Sequence, residues 1–205
     1  LTGDAMLRKI FGNTSSENTY VVIGLGNIGD EYANTRHNMG FMAIDILASR
    51  LGINISRRKY QGYYGEGRYE GKKVVLVKPA TYMNRSGDCV AQLLNRYKIS
   101  LDKLIILYDD VDIKAGSIRV RAKGSAGSHN GMRSVLKATG SEEFPRIRIG
   151  IGKNPPDVDI VQYVLGRIGK EEASVLRKGI EKASEAALLI MSEGIERAMN
   201  ICNQN

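Results

Sequence analysis

The sequence predicts an α/β protein: a single domain with a mixed central sheet flanked by helices on both sides. Three observations carry this. Short β-branched runs at Tyr20–Leu25, Leu104–Tyr108 and Arg146–Gly152 read as buried strands. Apolar residues at helical spacing fall between and after them, as in Phe41, Ile44, Leu47, Ala48 and Leu51. Two further runs, Tyr63–Tyr69 and Lys72–Lys78, are joined by Glu70-Gly71 and describe a hairpin, so the sheet has an antiparallel part.

The elements follow in order. Tyr20–Leu25 is closed by Gly26 and leads into a dense polar segment, beyond which a helix ends near Gly52. After the hairpin, stopped by Pro79, Val90, Leu93, Leu94 and Tyr97 give a helix over 87–97, followed by the strand Leu104–Tyr108 and another over Ser117–Lys123. A Gly/Ser loop from Gly124 to Gly131 opens a short helix before the strand at Arg146. The remainder is mainly helical: Leu176, Ile180, Ala183, Ala187 and Ile190 line one face of a long helix, broken at Gly194 and resumed with Ile195, Met199 and Cys202. Lys153-Asn-Pro-Pro-Asp157 is a surface loop.

A chain of 205 residues with 42% apolar content buries one adequate core. Residues 1–18 are expected to be an N-terminal extension, disordered or in part a cloning remnant ahead of Met6, and 19–205 the domain. Apolar stretches such as Ala186–Met191 fall far short of the roughly eighteen residues of a membrane span, so no membrane association is expected. Cys89 and Cys202 lie far apart in helical patterns, which argues against a disulfide framework and for a reducing, cytoplasmic setting. A net charge of +8 suggests a polyanionic partner.

Gly24-x-Gly26-x-x-Gly29 matches the spacing of a dinucleotide fingerprint, but the context is wrong. Such a site needs a helix starting on the glycines and an acidic residue ending a second strand about twenty positions later. Here Asp30 and Glu31 would repel a pyrophosphate, and Asp45 sits within a helical pattern. A tight strand-exit turn is the better reading, and no nucleotide cofactor is expected.

The two histidines, His37 and His129, are flanked by asparagine and glycine rather than by a packing pattern. Both fall on loops where acid/base groups are positioned. Asp109-Asp-Val-Asp112 ends the strand Leu104–Tyr108 and shares that edge with His37; alternation sets Asp110 and Asp112 opposite to Asp109. The acidic run admits three readings: a Mg²⁺ site, a carboxylate that fixes a histidine's tautomer, or a solvated turn. No Gly-x-Ser-x-Gly follows a strand, and two histidines with two isolated cysteines supply no familiar zinc spacing. Hydrolysis by a histidine-activated water remains, with Asn27, Asn84 and Asn130 as amide donors to the carbonyl oxygen. Basic residues gather at Lys114, Arg119, Arg121, Lys123, Arg133, Lys137, Arg146 and Arg148; Arg119, Arg121 and Lys123 share a strand face and form a row suited to phosphates, or simply a solvated face.

Seven stretches together resemble the bacterial-type peptidyl-tRNA hydrolase family, from about Tyr20 to Met199. They are Gly24-Leu-Gly-Asn-Ile-Gly-Asp-Glu-Tyr32, Thr35-Arg-His-Asn-Met-Gly40, Lys78-Pro-Ala-Thr-Tyr-Met-Asn-Arg-Ser-Gly87, Asp109-Asp-Val-Asp112, Gly124-Ser-Ala-Gly-Ser-His-Asn-Gly131, Phe144-Pro-Arg-Ile-Arg-Ile-Gly-Ile-Gly152 and Val164-Leu-Gly166. The resemblance implies a monomeric, metal-free and cofactor-free enzyme that hydrolyses the ester between a peptide and the 3′ ribose of tRNA. It implies His37 as base and Asp109 as its orienting carboxylate. Asn27, Tyr32, Met83, Asn84, His129 and Asn130 match positions around the peptide and the tRNA 3′ end, and Arg119, Arg121, Arg133 and Arg148 match basic residues near tRNA phosphates. Ile28 stands where the family commonly has proline, and Ser128 where it commonly has glycine. Two rivals are a non-catalytic RNA-binding module on the same basic face, and a nucleotide-dependent enzyme using Gly24–Gly29 with Mg²⁺ at Asp110 and Asp112.

Overall fold

The computed structural model describes residues 18–204. The extension expected over 1–18 lies outside the described residues, save for Asn18. Seven strands form one sheet in the order β2-β3-β4-β1-β5-β7-β6. They are β1 (Thr19–Gly24), β2 (Arg57–Lys59), β3 (Gly62–Tyr69), β4 (Lys72–Pro79), β5 (Leu104–Asp110), β6 (Ile118–Arg121) and β7 (Arg146–Gly150). Six helices accompany them among the described residues: α1 (Met39–Leu51), α2 (Ser86–Tyr97), α3 (Asn130–Thr139), α4 (Ile160–Leu165), α5 (Lys170–Glu193) and α6 (Ile195–Cys202).

Every residue of β1 is buried, which is why it reads as a continuous apolar run without alternation. It lies parallel between β4 and β5, and β5 is parallel to β7. β2, β3 and β4 form an antiparallel meander at one edge, and β6 closes the other edge antiparallel to β7. The sheet is mixed, as expected. Alternation along the central strands divides the core in two. Val22, Leu76, Ile105, Leu107, Ile147 and Ile149 pack with α1, α5 and α6, while Val21, Ile23, Val75, Val77 and Ile106 pack with α2 and α3.

Three local differences from the sequence reading have physical causes. β2 reads poorly because Arg57, Arg58 and Lys59 are all exposed on an edge strand, so no apolar alternation marks it. β6 ends at Arg121 instead of Lys123, and β7 at Gly150, where Gly150 meets the Ile113–Lys114 backbone and a Cβ would lie 2.2 Å from Lys114 O. The edge of β6 is covered by one side chain: Asn203 accepts from Val120 N–H and donates to Val120 O, at 2.9 and 3.0 Å.

The fingerprint glycines serve packing. A Cβ on Gly24 would sit 2.1 Å from Gly40 O, and one on Gly26 would collide with the Phe41 ring. α1 begins only at Met39, ten residues after Gly29. β1 and β5 are the central parallel strands from which the chain departs to opposite sides of the sheet, and ligands in α/β sheets bind beyond the carboxyl ends of such strands.

Candidate active site

The loop after β1 is fixed by asparagines. Asn38 Oδ1 accepts from Asn27 N–H at 2.8 Å, and Asn38 Nδ2 donates to Asn27 O at 2.9 Å. Asn27 Oδ1 in turn accepts from Met83 N–H at 2.8 Å, tying this loop to the one after β4. Asn38 is buried; the sequence puts it in the polar segment beyond the strand, inside Thr35-Arg-His-Asn-Met-Gly40, without giving it a role. These bonds leave the Asn27 amide N–H₂ without a partner among the described residues, and Asn27 lines the cleft.

The turn Arg36–Asn38 brings His37 to the end of β5. Arg36 points away, paired with Glu172 and stacked 4.4 Å from the Tyr163 ring centroid, which anchors the turn to α4 and α5. His37 Nδ1 lies 3.0 and 2.9 Å from the two oxygens of Asp109. Asp109 is only 2% exposed. Burial alone would push its carboxyl upward, but the facing His37 and His129 imidazoles outweigh this and hold it well below the usual carboxylate range. An ionised carboxylate only accepts, so His37 carries its proton on Nδ1 and directs the Nε2 lone pair away from Asp109.

Asp110 has different partners. It accepts from Arg148 Nε at 2.6 Å and from Asp112 N–H at 2.9 Å, so Asp109 and Asp110 are engaged separately, as alternation requires. Asp112 is exposed in the following turn. His129 caps α3 and reaches Asp109 with Nε2 at 3.1 Å. Facing atoms of His37, Asp109 and His129 lie within 4.8 Å of one another, a spacing that would admit a cation; in this arrangement they are spent on mutual hydrogen bonds.

A cleft of about 770 Å³ contains His37, Asp109, Asn27, Tyr32, Met83, Asn84, His129 and Asn130 in its walls. Arg121, Arg133 and Arg148 join them. Arg119 does not: it lies beside the C-terminal end and donates to Asn203 O at 3.0 Å. The row expected on one strand face is therefore split. Arg119 faces the chain end, while Arg121 and Lys123 line the cleft, Lys123 from beyond the end of β6.

The cleft has further wall residues whose parts differ from, or go beyond, what the sequence implies. Arg146 is 1% exposed and donates to the carbonyls of Gly124, Ser125, Glu142 and Phe144; it holds the Gly124–Gly131 loop in place and is not free for a phosphate. Tyr82 is 54% exposed at φ 56°, ψ 162°, a backbone region nearly restricted to glycine. Its neighbour Met83 is pinned by Asn27, which over-determines that conformation. Ile160, Val161 and Leu165 of α4 are exposed apolar residues on the same cleft, as is the ring of Tyr82. The stretch Val164-Leu-Gly166 marks the end of this helix in the sequence but does not reveal that its apolar residues face the cleft. The cleft wall thus carries cations and exposed apolar side chains as well as an imidazole–carboxylate pair and polar amides.

Comparison with known proteins identifies the family. The family model described as "Peptidyl-tRNA hydrolase" matches residues 21–205. A peptidyl-tRNA hydrolase of Caldanaerobacter subterraneus subsp. tengcongensis is 52% identical over 184 residues, covering 90% of this chain and 99% of the relative. One from Clostridium botulinum is 47% identical, covering 90% and 96%. The crystal structure of peptidyl-tRNA hydrolase from Acinetobacter baumannii matches with a TM-score of 0.84 at 36% identity, covering 92% of this chain and 96% of that one. Matched in sequence over nearly its whole described length and in fold to a solved member, the chain belongs to the peptidyl-tRNA hydrolase family.

Proposed function

We propose that the protein hydrolyses the ester bond between a peptide, or any N-blocked aminoacyl group, and the 3′ ribose of tRNA, with His37 as general base. The observation that carries this reading is the orientation of His37, whose Nδ1–H is held by buried Asp109 in the wall of a cleft that also bears three asparagine side chains. Nε2 takes a proton from water as its oxygen attacks the ester carbonyl. Asp109 accepts the Nδ1–H bond and stabilises the imidazolium formed. Amide N–H groups of Asn27, Asn84 and Asn130 donate to the developing oxyanion. Collapse of the tetrahedral intermediate breaks the bond to the ribose 3′-oxygen, which leaves with the proton carried by His37. General base catalysis of this kind is typically worth about 10² to 10⁴ in rate.

Arg121, Lys123, Arg133 and Arg148 support phosphate binding for the acceptor strand. Tyr32 and Met83, which line the same cleft, support a place for the peptide and the tRNA 3′ end there. Free thiols at Cys89 and Cys202 support a cytoplasmic setting, and among the described residues no helix is long and apolar enough to cross a membrane.

The test is incubation with N-acetyl-aminoacyl-tRNA and, separately, with free aminoacyl-tRNA. Release of only the acylated amino acid is expected. Binding of both without release would favour the RNA-binding module, and activity abolished by chelation would favour the Mg²⁺-dependent alternative.

A further inference from the structure

His129 is an unusual helix cap. Asn, Asp, Ser and Thr are the ordinary choices, because a short side-chain oxygen suffices to accept from the first turn. Here Nδ1 accepts from Met132 N–H at 3.1 Å. A backbone N–H can only donate, so Nδ1 carries no proton and the ring is held as its Nε2–H tautomer. That hydrogen points to Asp109 Oδ1 at 3.1 Å. Both nitrogens are spent inside the protein, the side chain is only 8% exposed, and neither nitrogen is left to bond substrate. The cap alone would not require a histidine; reaching Asp109 does.

Asp109 therefore receives two N–H donors, one from His37 and one from His129, whose ring centroids are 5.0 Å apart. We propose that His129 is a positioning residue for hydrolysis: it holds the Asp109 carboxylate and shares its charge, and so limits how strongly that carboxylate favours the protonated form of His37. This rests on the proposed function and deepens it. A carboxylate bonded by His37 alone would stabilise the imidazolium more, so His37 would be withdrawn as a base at a higher pH.

The other charged and titratable groups around the pair are accounted for. Tyr108, next to Asp109 on β5, packs edge-on against His129 at 4.9 Å, and burial pushes its phenol up to about 12. Asp110 is matched by Arg148 from β7, and Arg36 by Glu172 from α5. Arg146 is bonded to loop carbonyls, and Tyr32 and Tyr82 on their loops, Asp112, and the cleft cations Arg121, Lys123 and Arg133 complete the surroundings. Among these, His129 and His37 are the groups bonded to Asp109.

Two substitutions separate the two bonds. The amide oxygen of asparagine can replace Nδ1 as the cap but is too short to reach Asp109, whereas the amide nitrogen of glutamine can replace Nε2 and gives up the cap. The pH dependence of kcat/KM on N-acetyl-aminoacyl-tRNA is measured for wild type, His129→Asn and His129→Gln. With His129→Asn the acid limb should move up by about one unit, a roughly tenfold loss at a fixed pH on that limb. His129→Gln should keep the limb in place. A limb unmoved in His129→Asn, or moved equally in both, overturns the inference. His129→Ser, another short cap, is read in the same way should the asparagine variant fail to fold. Wild type that releases no acyl-amino acid would end the proposed function itself; active wild type with an unmoved limb in the short-cap variant ends only this inference.

Discussion

Gly24 and Gly40 meet backbone to backbone: a Cβ on Gly24 would lie 2.1 Å from Gly40 O, and one on Gly40 would lie 2.4 Å from Leu107 O. This approach lets α1 start against the ends of β1 and β5, and His37 sits three residues before Gly40. The place of the imidazole is thus set by the absence of two side chains. Gly40→Ala should destabilise the fold by about 1–3 kcal/mol, as overpacking in a closed core does. Its hydrolysis should fall further than the unfolded fraction explains, because the start of α1 cannot move without moving His37. Thermal denaturation and kcat/KM on the same preparation check this.

Salt dependence tests the cations of the cleft. With three or four phosphates contacted, the logarithm of tRNA affinity should fall with a slope of about −3 against the logarithm of salt concentration, at about −0.9 per contact for duplex. Arg121→Ala should reduce that slope by about one contact. Arg119→Ala should leave it unchanged, since Arg119 reaches Asn203 O and not the cleft. A flat response in wild type would remove the phosphate assignment.

Acid stability has a source outside the site. Glu66 on β3 would be raised by its burial, but hydrogen bonds from Tyr97, Lys73 and Arg57 prevail and lower it from 4.5 to about 2. A depressed carboxylate favours the folded state above its unfolded value, and that contribution is lost as pH falls through the folded value. Glu66→Gln should therefore be less stable than wild type at neutral pH, with the difference shrinking between about pH 4.5 and 2. Urea denaturation across that range checks the sign.

Ser184 lies on the buried face of α5, and its Oγ has no hydrogen-bond partner among the described residues. An unsatisfied buried hydroxyl costs about 1–3 kcal/mol. Ser184→Ala should raise the melting temperature by about 2–4 °C for each kcal/mol recovered in a chain of this size. A melting temperature that falls would contradict this.

Much of this fold is legible in the sequence because its central strands are buried on both faces and its helices on one, so period and composition coincide. The meander edge is less so: in Arg57–Lys59 no residue is buried, and pairing with β3 alone makes it a strand. Alternation separates Asp109 from Asp110, yet which one meets His37 depends on the parallel pairing of β1 with β5 and on the Gly24–Gly40 contact. The same rule puts Arg119 and Arg121 on one face without revealing that the C-terminal end lies beside the first. Arg146 looked like another surface cation and is instead a buried organiser of a loop, because five guanidinium donors can satisfy several carbonyls at once. The apolar wall of α4 comes from tertiary placement alone.

Removal of the imidazole tests the central claim most directly. His37→Ala should lose about 10² to 10⁴ in kcat on N-acetyl-aminoacyl-tRNA while its affinity for that tRNA stays within about twofold of wild type. Undiminished hydrolysis by a folded His37→Ala protein would contradict the account.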